Sequence, residues 1–238
     1  MTNKAIHMKT LGLIGGMSWE STVPYYQLIN QTVRQQLGGL HSARIILYSV
    51  DFAEVEHLQK SDHWDAAGAL LAEAAHKLAS AGADALVLCT NTMHKVASQI
   101  ERAVDIPLLH IADPTAQAIQ QAGFTTVGLL GTRFTMEQDF YRNRLEKNHG
   151  LTVLTPPASG RDLVHQIIYE ELCLGQINDA SRQTYLQVID DLRQQGAQAI
   201  ILGCTEIAML VQPQHTDLPL FDTTALHAKN SALWALTP

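Results

Sequence analysis

The chain carries the same segment pattern twice. Lys9-Thr10-Leu11-Gly12-Leu13-Ile14-Gly15 resembles Thr125-Thr126-Val127-Gly128-Leu129-Leu130-Gly131. Ala81-Gly82-Ala83-Asp84-Ala85-Leu86-Val87-Leu88 resembles Gln195-Gly196-Ala197-Gln198-Ala199-Ile200-Ile201-Leu202, and Ile106-Pro107-Leu108-Leu109 resembles Leu218-Pro219-Leu220-Phe221. The pairings lie 112 to 116 positions apart, so three separate anchors share one offset. Self-similarity at a fixed spacing means that one structural unit is built twice. A chain of 238 residues then folds as two half-length lobes. The expected division is residues 1–105 for the first lobe, with 217–238 returning to it, and 106–216 for the second.

Each copy alternates short apolar runs with longer segments of helical period. Strands are expected at 11–14, 44–50, 85–88 and 106–111, and again at 126–130, 151–154, 199–202 and 218–221. Helical spacing marks 21–37, 65–81 and 95–103 in the first copy, and 136–147, 163–174 and 181–195 in the second; Gly38, Gly82 and Gly196 end three of them. Strands alternating with helices define an α/β class: two pseudo-symmetric lobes, each a mainly parallel sheet flanked by helices. Ligands of such sheets bind beyond the carboxyl ends of the strands, so the active site is expected in a cleft between the lobes.

Composition narrows the function classes. Charged residues make up 16% of the chain, against about 25% in an average globular protein, and 46% of residues are hydrophobic. Much of the chain should therefore be buried, and disorder is excluded. A net charge of −7 argues against nucleic acid as a partner. No run approaches the roughly 18 apolar residues of a membrane span, so no membrane partner is expected. Residues 1–7 read as a dispensable lead, and the short apolar run after Met8 lacks a small-residue cleavage site. A cytoplasmic chain is expected, with Cys89, Cys173 and Cys204 as reduced thiols. The eleven histidines include no H-x-x-x-H pair and there is no Cys-x-x-Cys, so no metal is expected. Neither a G-x-S-x-G elbow nor a G-x-G-x-x-G or lysine phosphate signature is present.

The chemistry-bearing residues sit just past equivalent strands. Leu88 is followed by Cys89-Thr90-Asn91-Thr92, and Leu202 by Gly203-Cys204-Thr205-Glu206. The repeat sets Cys89 against Gly203 and Thr90 against Cys204. Strand ends that lead into helices gather side chains and helix N–H groups around one point, a seat for a carboxylate. Two such seats facing each other would hold a small ligand between two protic side chains. That arrangement suits two-base chemistry at one carbon, one group removing a proton and the other returning it on the opposite face.

These residues also resemble those of a known family. Gly15-Gly16-Met17 near the start, Thr90-Asn91-Thr92 in the middle and Gly203-Cys204-Thr205-Glu206 late are similar to motifs of the aspartate/glutamate racemases, from about Met8 to the end. The resemblance implies a racemase of small amino acids without pyridoxal phosphate or metal, acting as a homodimer, with one cysteine per lobe as acid and base at the α-carbon. The second cysteine, in Gly-Cys-Thr, is Cys204. The first stands directly before Asn-Thr in the family, and that slot holds Thr90 here. The chain resembles the L-aspartate/glutamate-specific racemases of enteric bacteria.

Cys89 lies one residue early, and neighbouring strand residues point to opposite faces. A thiol with a pKa near 8.5 can be tuned toward neutrality, whereas an alcohol ionises far less readily. The expected kinetics are lopsided: fast when Cys204 is the base, slow when Thr90 must be. The family resemblance implies that the second-lobe base takes the proton of the L-enantiomer, so L-amino acids are expected to be the better substrates. The equilibrium constant of a racemisation is still one by symmetry.

Each residue also has a structural reading. Cys204 can be a small buried hydrophobe, although Gly203 and Thr205-Glu206 around it favour catalysis. Cys89 reads first as core and second as an auxiliary, and Cys173 as packing within its helix. Thr90, Asn91, Thr92 and Thr205 can cap helices; the family places such groups on the substrate carboxylate and amine. Glu206 is either a first-turn helix acid or a partner that orients the Cys204 thiol. Met17 and Ser18 mark a close backbone approach to substrate, and Thr132 and Thr135 hold the equivalent place in the second lobe.

A side-chain carboxylate on the substrate needs a cation. Asp51-Phe52-Ala53-Glu54-Val55-Glu56-His57 is acidic where the family sets one, which leaves Arg161 and His165 as candidates, unless both are solvated helix residues. Strict selectivity for acidic side chains is thereby open, and a broader range of polar substrates such as homoserine is an alternative. Two further alternatives are a one-cysteine decarboxylase of malonate-like acids and a two-lobed small-ligand binding protein.

Overall fold

In the computed structural model, which describes residues 8–238, the duplication is architectural. The expected lead at 1–7 lies outside the described residues. The chain divides into two compact units, 8–89 with 96–110 and 227–238, and 90–95 with 111–226.

The first unit holds β1 (Thr10–Gly15), α1 (Trp19–Leu37), β2 (Arg44–Ser49), α2 (Phe52–Lys60), α3 (Trp64–Ser80), β3 (Ala85–Leu88), α4 (Ala97–Ala103) and β4 (Leu108–Leu109). The second begins with α5 (Ala112–Gln121) and β5 (Thr126–Gly131), followed by α6 (Arg133–Glu137), α7 (Asp139–Asn143) and β6 (Thr152–Leu154). It continues with α8 (Ala158–Glu170), α9 (Asp179–Gln194), β7 (Ala199–Gly203), α10 (Ile207–Leu210) and β8 (Leu220–Asp222), and the chain ends in α11 (Thr223–Ala235).

Both sheets are wholly parallel and share one strand order, β2-β1-β3-β4 and β6-β5-β7-β8. The central strands are buried on both faces, as a parallel sheet between helix layers requires. Registers coincide as well: Leu11 pairs with Ala85 and Ile14 with Leu88, while Val127 pairs with Ala199 and Leu130 with Leu202.

Gly12 and Gly128 show why the repeat keeps a glycine at that point. A Cβ on Gly12 would lie 2.8 Å from Cβ of Ala83 and 3.2 Å from Cβ of Leu78 on α3. One on Gly128 would lie 2.7 Å from Ile200 and 2.9 Å from Leu192 on α9. In each unit the missing side chain lets a helix close directly onto the sheet. The helices comply through one apolar stripe. On α3 it consists of Ala67, Leu71, Ala74, Ala75 and Leu78, and on α9 of Tyr185, Val188, Ile189 and Leu192.

Several boundaries depart from expectation. β4 pairs in the first sheet and β8 in the second, so 106–110 stays with the first unit and 217–226 with the second; only 227–238 returns. Ladder pairing fixes these short strands, and their sequences do not. The helix expected over 136–147 is broken into α6, α7 and a π-helical turn at Arg144–Asn148. Helices α2, α5 and α11 fall outside the expected helical segments. α2 buries only Val55 and Gln59, and α5 buries mostly small residues. No helix among the described residues is long and apolar enough to cross a membrane.

Candidate active site

The sheet register tests the alignment of the two strand ends. Because Leu88 and Leu202 occupy equivalent ladder positions, Cys89 corresponds to Gly203 and Thr90 to Cys204. Cys89 belongs to the first unit's core, fully buried among Leu11, Leu13, Tyr25 and Val87, with its thiol 3.6 Å from the Val87 carbonyl. Burial pushes that thiol far above the ordinary cysteine range. Thr90 begins the segment 90–95, which packs with the second unit, the unit that carries Cys204.

Cys204 follows the end of β7 and is 8% exposed. Its Sγ donates to Oε2 of Glu206 at 3.0 Å, and the Thr205 hydroxyl donates to the same oxygen at 2.7 Å. Glu206 is itself buried. Desolvation first, and then the Glu206 carboxylate, hold the Cys204 thiol well above its usual pKa. The thiol hydrogen bond is thus directed at the Glu206 side chain. Cys173 is half-buried against the same apolar cluster.

A hydrogen-bonded chain connects the Thr90-Asn91-Thr92 segment to the end of β7. The Asn91 amide Nδ2 donates to Thr223 Oγ1 at 3.0 Å, and the Thr223 hydroxyl donates to the Leu202 carbonyl at 2.8 Å. Since Thr223 spends its proton on Leu202, it can only accept from Asn91, which fixes the amide orientation. Among the described residues Asn91 Oδ1 is thereby a buried acceptor with no hydrogen-bond partner, and Thr224 Oγ1 is likewise buried and unpartnered. Burial raises the Asp222 carboxyl above its usual pKa while its Oδ1 accepts the N–H groups of Thr224 and Ala225 at 2.8 and 3.1 Å.

Thr92, Thr132 and Thr135 form a second chain. The Thr92 and Thr132 hydroxyls are 2.9 Å apart, and those of Thr132 and Thr135 3.2 Å. The Thr132 side chain also caps α6 by accepting from Thr135 N–H. The capping reading thus holds for Thr132. Thr223, 132 positions from Asn91, is missed by sequence reasoning. The available signal is the repeat, which puts Asp222-Thr223-Thr224 at the carboxyl end of β8.

Met17 and Ser18 lie between β1 and α1 and are both buried. Gly16 ahead of them has φ +93°, and a Cβ there would come within 2.4 Å of the Val50 carbonyl. The turn is tied by Thr22, which accepts from Gly16 N–H at 2.9 Å and donates to the Ser18 carbonyl at 2.8 Å.

Neither candidate cation stands as a ready positive charge. Arg161 pairs with Glu137 at 2.8 Å and donates to the Pro156 carbonyl at 2.8 Å. His165 accepts the Arg133 N–H through Nδ1 at 3.2 Å, which requires a neutral ring, and packs beside Phe134 and Tyr169. Asp51, at the start of the acidic segment, caps α2 through Ala53 N–H. Among the described residues no group of three or more His, Cys, Asp or Glu is placed to hold a metal ion.

The fold of two parallel-sheet units is shared with known proteins. The family model for Asp/Glu/hydantoin racemases matches residues 14–230, and the chain belongs to that family. A Yersinia pestis structure assigned to the Asp/Glu racemases is 60% identical, with a TM-score of 0.90 over 97% of this chain and 100% of that one. An aspartate racemase homologue from Pyrococcus horikoshii is 31% identical, with a TM-score of 0.82 over 96% and 99% of the two chains. The broad specificity amino-acid racemase RacX of Bacillus subtilis is 24% identical over 93% of this chain and 96% of its own length. The chain is accordingly an isomerase of the amino-acid racemase type.

Proposed function

We propose that the chain racemises aspartate and glutamate by two-base proton transfer at Cα, with Cys204 on one face and Thr90 on the other. The Cys204–Glu206 contact carries this reading: a buried thiol that donates directly to a buried carboxylate is a proton-transfer pair. Glu206 takes the thiol proton, the thiolate removes the Cα proton of the L-enantiomer, and Thr90 delivers a proton to the opposite face. Asn91 Oδ1 is a buried acceptor suited to the substrate ammonium, and the Thr92–Thr132–Thr135 hydroxyl chain has one proton left to give its carboxylate, whereas the Thr205 hydroxyl proton is held by Glu206. The backbone at Met17 and Ser18 approaches the substrate. Both proton-transfer groups are side chains of the protein, so the reaction as written needs neither pyridoxal phosphate nor a metal. Cys89, packed in the core, serves structure.

A second reading concerns the side chain of the substrate. Arg161 is engaged by Glu137 and His165 is neutral, which favours a range of polar substrates that includes homoserine. Incubation with L-aspartate, L-glutamate and L-homoserine in D₂O tests both. Deuterium at Cα together with D-product is the expected result, and the ratio among the three substrates decides the range. Release of CO₂ from a malonate, or saturable binding of these amino acids with no exchange, would replace the racemase with a decarboxylase or a binding protein.

Glu206→Gln gives a sharper test of the thiol. Removing the carboxylate removes one of the influences that raise the Cys204 pKa, so alkylation of this thiol should become possible at lower pH. Racemisation near neutral pH should nevertheless fall by about 10–10²-fold, because the proton acceptor is gone. An alkylation profile that stays in place, or moves to higher pH, would remove Glu206 from this role.

A further inference from the structure

His94 stands in the 3₁₀ turn Thr92–Val96 that follows the Thr90 slot, and it is 3% exposed. Its Nδ1 lies 2.7 Å from the Thr90 carbonyl, and its Nε2 accepts from the Ile111 N–H at 3.2 Å. A carbonyl oxygen only accepts and a backbone amide only donates. The ring must therefore carry its proton on Nδ1 and a lone pair on Nε2, and so be neutral. Thr90 and Ile111 are also the two residues at which the chain enters the second unit from the first. One imidazole ties both entry points together.

We infer that His94 is a positioning residue for Thr90: its Nδ1–H holds the Thr90 peptide carbonyl and so sets the direction of the hydroxyl that returns the proton. The inference rests on the two-base reading above. Threonine is β-branched and has few χ1 wells, so a fixed backbone leaves its hydroxyl few directions. Proton delivery needs a heavy-atom approach of about 2.6–3.2 Å, and a misplacement of about 1 Å costs up to about 10²-fold. Cys204 sits on a different loop with its own partner, Glu206, so the ring should govern one of the two proton transfers and leave the other alone.

That asymmetry supplies the experiment. In D₂O, deuterium entering recovered L-aspartate reports Cys204, and deuterated D-aspartate reports delivery from Thr90. In His94→Gln the longer amide can still accept from Ile111 with its oxygen but no longer reaches Thr90 as Nδ1 does. Inversion should fall by about 10–10²-fold, while exchange into L-aspartate stays within about threefold of wild type. In His94→Asn the amide nitrogen takes the place of Nδ1, and the exchange-to-inversion ratio should remain that of wild type.

Equal loss of both reactions in a folded His94→Gln protein, or an unchanged ratio, would overturn the inference. If His94→Gln does not fold, a raised ratio in His94→Asn does the same. A ¹⁵N spectrum of the wild-type protein that shows His94 protonated on Nε2 would also overturn it. Wild-type protein that neither exchanges nor inverts any of the three amino acids would instead remove the racemase reading on which the inference stands.

Discussion

Cys204→Ser is expected to abolish both Cα–H exchange and racemisation of the L-amino acid, lowering each by about 10²–10⁴-fold. The substitution exchanges a thiol for a smaller hydroxyl that still donates to Glu206, so the local hydrogen bond survives and the fold should be little disturbed. What is lost is acidity: serine in this buried setting cannot supply an anion strong enough in population to act as base. Measuring deuterium incorporation and D-product with the same sample separates the outcomes. Loss of inversion with exchange intact would place the L-face base elsewhere, and retention of both would leave Cys204 as packing.

Thr90→Cys is expected to work in the opposite sense. The wild-type hydroxyl must become an alkoxide-like group whenever it gives up its proton, which makes its face the slow one. A thiol at the same place, with an ordinary pKa near 8.5, should raise D-to-L conversion by about 10–10²-fold. The unit equilibrium constant adds a constraint: kcat/KM must be equal in the two directions. Thr90→Cys must therefore raise kcat/KM for L-to-D conversion by the same factor. The native asymmetry can appear only in kcat and KM taken separately, and in exchange without inversion. Exchange into the D-enantiomer should rise with the same variant, while exchange into the L-enantiomer, controlled by Cys204, should hardly move. An unchanged D-to-L rate would detach Thr90 from the second face, and Cys89→Ala would then become the decisive variant.

Both predictions rest on a register that is legible in the amino-acid sequence. Thr90 and Cys204 align through the repeat, and parallel ladders set the same alignment because Leu88 and Leu202 pair equivalently within their own sheets. Cys89 falls into the core for the same reason: an offset of one residue in a strand turns a side chain to the other face. Less is readable for the helices. α3 and α9 bury continuous apolar stripes, whereas α2 and α5 bury few or small side chains. The ends of the lobes are also misplaced by pattern alone, because β4 and β8 are two and three residues long and only their ladder partners assign them to a sheet.

A duplicated α/β chain with two protic residues at equivalent strand ends follows from the order of amino acids, since hydrophobic period and strand register are local properties that repeat with the segment. The partners of those residues come from the folded arrangement. Asn91 finds Thr223 across 132 positions, and His94 finds Ile111 across 17. Arg161 is taken up by Glu137, and Cys204 turns its thiol onto Glu206 rather than away from it. Such contacts depend on where helices and loops land after folding and on which buried donors still lack an acceptor. Spacing along the chain carries no record of either.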